Sequence, residues 1–462
     1  MRLSRFFAWL ALVSSTALAQ PATPASPQAD TVNRFFAEAL ARGQAYDQLR
    51  ALVSQNPGRL SGSKSLERAV VWSERLLRSM RLDRIYKQEV MVPHWSRGSR
   101  ESVRLLPSRG TATTLTATAL GGSGASPATG AIGEVIEVRS LDELASLGRE
   151  RIAGKIVFFN RPLDPALYHP GLAYVGAADQ RNRGPAAAAD LGAIGALTRS
   201  LTHAKDDIPH TGNTRFPPAT PRIPAAALST LAADRLSTAL TSDPSLQVEI
   251  KIHAQTLPDA LSHNVIGEIR GSEFPDEIIL VGGHLDSWDI APGAHDAGAG
   301  VVQSIEVLRL FQALGIKPRH TLRCVLFTNE ENGLAGATAY AVAAKASGQR
   351  HLFAIESDGG GFAPRGFDLG STQGDAHLRA QRWQPLFAPW GLTEFRKGGA
   401  GADVAPLMIQ GVTVAEIVSD SQRYFDYHHS ARDTLDQVNP RELHLGAAAL
   451  AALVWLVDTE GL

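Results

Sequence analysis

Short apolar runs broken by glycine or charge alternate with longer runs of helical period through the C-terminal half of this chain. From His263 onward the segments NVIGEIRG, EIILVGG, TLRCVLFT and HLFAIESD each read as strands. Helical stretches run from Asp296 to about Leu314 and from Gly333 to about Ala346, and ALAALVWLVDT reads as a closing helix. The run Ile278-Ile279-Leu280-Val281 shows no polar alternation, which suits a strand covered on both faces. Strands taking turns with helices in this way predict an α/β fold, a three-layer domain with a mixed, largely parallel central sheet.

The N-terminal half is patterned differently. Thr31 to Val53 has a helical period, Gly58 to Ser63 reads as a turn, and Ser65 to Met80 as an amphipathic helix with Leu66, Val70, Leu76, Leu77 and Met80 on its apolar face. A strand is expected near Ile85 to Val92, ended by Pro93-His94-Trp95. From about Glu101 to Leu257 the texture becomes short β-like runs rich in alanine and proline, with strands at Gly133–Val138 and Gly154–Phe159 and a helix at Pro185–Ala196. We read residues 101–257 as an inserted β-rich domain, and residues 31–100 and 258–462 as two parts of one main domain.

Composition narrows the class. The chain has 462 residues, 44% apolar, enough for substantial cores. Lys plus Arg (45) nearly balance Asp plus Glu (46), so charge gives no reason to expect nucleic acid or an anionic membrane as partner; a short peptide substrate fits better. Residues 1–19 carry Arg2 and Arg5, then FFAWLALV, then Ala17-Leu18-Ala19, which predicts a signal peptide cleaved after Ala19 and a secreted or periplasmic protein. A Pro/Ala/Ser tether is expected over residues 20–30, and no later segment is read as long enough to anchor in a bilayer. The one cysteine, Cys324, lies in an apolar run and reads as a small buried hydrophobe.

Ligating side chains gather where the predicted strands end. His284 closes IILVGGH, Asp286 stands two residues on, and Asp296 precedes Ala297-Gly298-Ala299-Gly300. Glu330 and Glu331 follow the strand ending at Thr328, Asp358 follows HLFAIES, and Tyr427-His428-His429-Ser430 supplies a late histidine pair with Asp433-Thr434 beyond. Imidazole and carboxylate are ligands of zinc, and strand ends hold them rigidly toward a crevice. Core packing explains any one fragment but not four with this placement. His203, His210 and His253 stand isolated and read as surface or structural residues.

His-x-Asp, Asp-x-Gly-x-Gly, Glu-Glu, a strand-end Asp and His-Ser-x-x-Asp-Thr, in this order, resemble the co-catalytic di-zinc exopeptidases of the bacterial leucyl aminopeptidase type. NPGRLSGSKSLE, VPHWSRG, GGHLDSWD, TNEENG and YHHSARDT extend the resemblance over nearly the whole chain after the tether, toward a branch named for carboxypeptidase action. The resemblance implies two zinc ions, with Asp296 bridging, His284 and Asp358 completing one, and Glu331 and His429 the other. It implies Glu330 as general base on a shared water, which a site of two Zn²⁺ and three carboxylates favours ionising toward hydroxide. Asp286 would fix the tautomer of His284 through the ring's second nitrogen. It also makes residues 101–257 a protease-associated-like domain, and implies a homodimer. Relatives carry a tyrosine where His428 stands, so His428 is a candidate oxyanion donor. They carry Asp or Asn where Ala297 stands. His295 is a possible rival ligand, and Asp289 and Asp403 are read as lining the pocket or capping turns. The expected function is an exported zinc exopeptidase acting on unblocked dipeptides. A broader aminopeptidase and a non-catalytic peptide-binding protein are the alternatives.

Overall fold

The structure is a computed structural model describing residues 26–372 and 374–462, so the expected signal peptide and most of the expected tether lie outside the described residues. Helix already begins at Pro27, inside the expected tether. Ser26 caps helix Pro27–Arg42 by accepting from Ala29 N at 3.2 Å, and Pro27 sits in the first turn, where a missing N–H leaves no bond unmade. Gly43 ends that helix, and Ala45–Gln55 continues as a second one. Lys64–Ser79 follows, capped by Ser63, whose Oγ accepts from Leu66 N at 3.1 Å.

The main domain is built on an eight-stranded mixed sheet. Its strand order is Arg84–Ser96, Gln255–Ile269, His320–Phe327, Phe274–His284, Arg350–Glu356, Thr413–Ser419, Pro364–Gly370, Glu394–Lys397. Phe274–His284 runs parallel to both its neighbours, and Arg350–Glu356 runs parallel to Thr413–Ser419. Three adjacent strands therefore end at the same edge of the sheet. Helices Pro27–Arg42, Gly300–Ala313 and Pro440–Glu460 pack in one apolar layer with this sheet, and Gly300–Ala313 is buried almost all round. Pro440–Glu460 is long and apolar enough by length and composition to cross a membrane, contrary to the expectation for later segments, but 72% of its apolar window is buried in the core.

Strand Arg84–Ser96 continues past Pro93, where it was expected to stop. The register to Gln255–Ile269 shifts between Val92 and His94, so the ladder skips the proline that cannot donate to it. The paired strands carry the chain out to a second eight-stranded sheet spanning Ser102 to Lys251 and back. Strand Gln255–Ile269 thus belongs to the main sheet from its first residue, two short of the boundary expected at 257. The second unit holds more helix than its β-like texture suggests. Leu141–Ile152 and Thr230–Ser242 are capped by Ser140 and Ser229, Pro170–Ala177 adds a third helix, and the helix expected over Pro185–Ala196 ends at Asp190, because Gly195–Arg199 forms a strand.

Candidate metal centre

The shared strand edge carries the expected residues. His284 ends the central strand, Glu330 and Glu331 follow His320–Phe327, and Asp358 follows Arg350–Glu356. Asp296 lies in the segment Ala294–Ala299 that leads into helix Gly300–Ala313; the Asp296–Ala297 peptide is cis. That helix approaches the strand ends so closely that a β-carbon on Gly300 would lie 1.8 Å from the Ser357 carbonyl, so only glycine fits there. Two buried side chains hold the Asp296 segment. The Arg59 guanidinium donates to the carbonyls of Leu285 at 2.7 Å, Pro292 at 2.5 Å and Gly293 at 3.0 Å. Asp433 accepts from the backbone N–H groups of Ala294, His295 and Asp296 at 3.0, 2.6 and 3.1 Å.

Five side chains form two clusters that share one carboxylate. His284 Nε2 lies 3.0 Å from Asp358 Oδ1 and 3.2 Å from Asp296 Oδ1. His429 Nε2 lies 3.1 Å from Glu331 Oε2 and 3.3 Å from Asp296 Oδ2. Each Asp296 oxygen thus faces a different histidine. Asp296 Oδ2 and Glu331 Oε1 are buried without a hydrogen-bond partner. Ligand atoms of His284, Asp296 and Glu331 lie within 4.8 Å of one another, as do those of Asp296, His428 and His429, and orphaned carboxylate oxygens beside imidazole nitrogens are a donor set that fits zinc. Burial, reinforced by Asp296, pushes Glu331 well above the usual carboxylate range, and burial lifts Glu330 to about 8. Positive charge placed among these groups would relieve both.

The neighbours differ from expectation in several places. The Asp286 carboxylate is not the partner of His284, since its Oδ1 lies 3.7 Å from Nδ1; the ring instead donates to the Asp286 backbone carbonyl at 3.0 Å. The carboxylate is turned the other way, accepting from Glu330 N at 3.0 Å and Glu331 N at 3.2 Å, so it supports the glutamate turn. His295 is sandwiched by Phe362 and Tyr427, with Nδ1 accepting from Gly361 N and Nε2 donating to Gln437 O, and so points away from the clusters. His428 stacks on His429 with ring centres 3.6 Å apart, and its Nε2 lies 3.7 Å from Asp296 Oδ2, facing the shared carboxylate. Asp289 pairs with Arg97 at 2.6 Å. Asp403 caps no turn: it is 1% exposed, and neither of its carboxylate oxygens has a partner. Sequence reading passed over Arg59, and it set His210 aside although His210 Nδ1 donates to His428 O at 2.7 Å. An arginine inside the glycine-rich turn NPGRLSG, with no acid in that turn, was the available signal for Arg59.

A cleft of about 910 Å³ opens beside the clusters. Asp358, Glu416 and His428 line it from the main domain, and Tyr168, Leu172 and Tyr174 from the second unit. The loop reaching His429 is strained. His429 has φ 60°, a left-handed conformation that costs a residue with a β-carbon about 1–2 kcal/mol.

Comparison with known proteins gives the family of the chain. Residues 264–454 match the model of Peptidase family M28. Carboxypeptidase Q from Bos taurus is 35% identical over 417 residues, covering 90% of this chain and 86% of that protein, and the Homo sapiens protein is 34% identical over the same length. Among solved structures, a peptidase M28 precursor from Shewanella amazonensis SB2B is 33% identical, with TM-score 0.88 over 94% of this chain and 97% of that one. A zinc aminopeptidase from Bacillus subtilis, 16% identical, shares the fold with TM-score 0.64 over 90% of this chain and 95% of that one. The chain therefore belongs to peptidase family M28 and is a zinc metallopeptidase related to carboxypeptidase Q.

Proposed function

We propose that the protein is an exported exopeptidase that hydrolyses short peptides with a free amino end, dipeptides above all, at a centre of two zinc ions. The observation that carries this reading is the pair of clusters sharing Asp296, with Glu330 next in the chain to Glu331 and a cleft, partly walled by the second unit, opening at Asp358 and His428. In this reading His284, Asp358 and Asp296 hold one ion, and Glu331, His429 and the same Asp296 hold the other. Zinc so held supplies a Lewis acid toward the scissile carbonyl and toward the attacking water.

The chain's own groups do the rest. Glu330 accepts a proton from the water as its oxygen bonds to the carbonyl carbon, then delivers that proton to the nitrogen as the C–N bond breaks, leaving an acid and a free amine. His428, whose Nε2 stands 3.7 Å from Asp296 Oδ2, serves in this reading to steady the oxyanion. The acidic groups around Asp358 and Glu416 offer the substrate's α-ammonium a partner at one side of the cleft.

The deciding experiment compares Xaa-Yaa, acetyl-Xaa-Yaa and Xaa-Yaa-amide at equal concentration. Unblocked dipeptide and amide should be cleaved and the acetylated peptide refused, because the cap removes the charge that the acidic side of the cleft binds. Cleavage of the acetylated peptide with refusal of the amide would establish carboxypeptidase action instead.

A further inference from the structure

We propose that the second unit, spanning Ser102 to Lys251, completes the metal centre by orienting His429, and that Arg181 is the positioning residue through which it does so. The inference rests on the reading of His429 as a zinc ligand. A ligating imidazole is aimed by whatever its other nitrogen bonds, and here that partner comes from the second unit: His429 Nδ1 lies 3.3 Å from the carbonyl of Thr211, which can only accept. Thr211 N donates in return to the His429 carbonyl at 2.8 Å, and His210 Nδ1 donates to the carbonyl of His428 at 2.7 Å. His210 also forms a β-bridge with Ser430. Two consecutive residues therefore grip the loop that carries His429 in its left-handed conformation, across a sequence separation of 218 residues.

Arg181 holds this grip in place. It is only 5% exposed, and no carboxylate lies within ion-pair distance of it among the described residues. Its Nη1 donates to the same Thr211 carbonyl at 3.3 Å and stands 3.4 Å from His429 Nδ1, while Nη2 donates to the Tyr174 hydroxyl at 2.5 Å. The following residue, Gly212, lies flat against the guanidinium; a β-carbon there would come 2.4 Å from Arg181 Cζ. A buried cation without a carboxylate partner is costly to keep, and this one, held by Tyr174 and by Asn182 Oδ1 at 3.3 Å, fixes the Thr211 carbonyl behind the His429 imidazole. Its effect should fall on one of the two ions, because His429 belongs to one cluster only.

The test measures zinc affinity, by chelator competition on the full chain, together with the cobalt(II) absorption spectrum, for wild type and for Arg181→Met, Arg181→Lys, Tyr174→Phe and His429→Ala. Arg181→Met should weaken one of two equivalents 10- to 100-fold with unchanged circular dichroism, and Arg181→Lys should recover part of the loss. Tyr174→Phe, which removes only the hydroxyl bound to Nη2, should weaken the same equivalent by less, and it decides the matter if Arg181→Met does not fold. If His429→Ala weakens one equivalent while the Arg181 and Tyr174 variants leave both affinities and the cobalt spectrum unchanged, the positioning role is overturned. If His429→Ala itself changes neither affinity, the ligand reading fails first.

Discussion

Glu330 and Glu331 are the same residue twice, and the backbone alone gives them different surroundings. Asn329 turns left-handed at φ 67°, the Asp286 carboxylate takes up both following N–H groups, and only Glu331 then reaches His429. We expect Glu330→Gln to keep the full zinc content and lose roughly 10²-fold or more in kcat, and Glu331→Gln to lose one equivalent, as read by elemental analysis beside a dipeptide assay. The reverse pattern would exchange the two roles. The Asp286 expectation shows the limit of spacing as a guide. His-x-Asp at a strand end says that the groups are near, but which of three oxygens faces the ring depends on how the glutamate turn arrives from 44 residues away. Far from the centre, burial holds the His351 imidazole down at about 4, against an ordinary value of 6.5, with Tyr340 as its partner. The folded state favours the neutral ring. This contribution is complete above about pH 6.5 and is lost as the pH falls toward 4, by about 2 kcal/mol between pH 7 and pH 5. Urea midpoints at both pH values, compared with those of His351→Gln, should differ in pH dependence by that amount; parallel curves would refute it.

At the scale of elements, what was legible follows from what is local. Gln255–Ile269, Phe274–His284, His320–Phe327 and Arg350–Glu356 announce themselves as apolar runs, because their buried stretches are covered on both faces, whereas Pro364–Gly370, Glu394–Lys397 and Thr413–Ser419 were not read as strands. The segment Ala294–Ala299 carries no such signature. Its shape is imposed by Arg59 and Asp433, which come from opposite ends of the chain, so no local pattern could report it. Continuation of Arg84–Ser96 through Pro93 was hidden likewise, since a bulge depends on the partner strand. We expect Arg59→Met to leave three carbonyls near the centre without their donor and to cost about 3–5 kcal/mol. Denaturation of the metal-stripped variant beside metal-stripped wild type checks this, because only the framework then contributes.

For the whole molecule, the two sheets are joined through the paired strands Arg84–Ser96 and Gln255–Ile269 and, beside contacts such as Arg432 with Asp206 and Tyr174 with Phe425, through a second joint where His210 and Thr211 meet the His428–Ser430 loop. Metal bound to the folded form alone adds about 4 kcal/mol at a thousandfold excess over its dissociation constant, so chelation should lower the melting temperature of the entire chain. Calorimetry with and without chelator tests this; an unchanged midpoint would mean that the ions lie outside the folding equilibrium. The second joint also sets an order in time. A chain made from its N-terminus has Arg181 and Thr211 first, then His284 through Asp358, and only later the histidine that those early residues grip. If His429 is a zinc ligand, as proposed, the growing polypeptide holds an incomplete centre until that residue has been synthesised and has docked, and is expected to leave the peptides around it uncut.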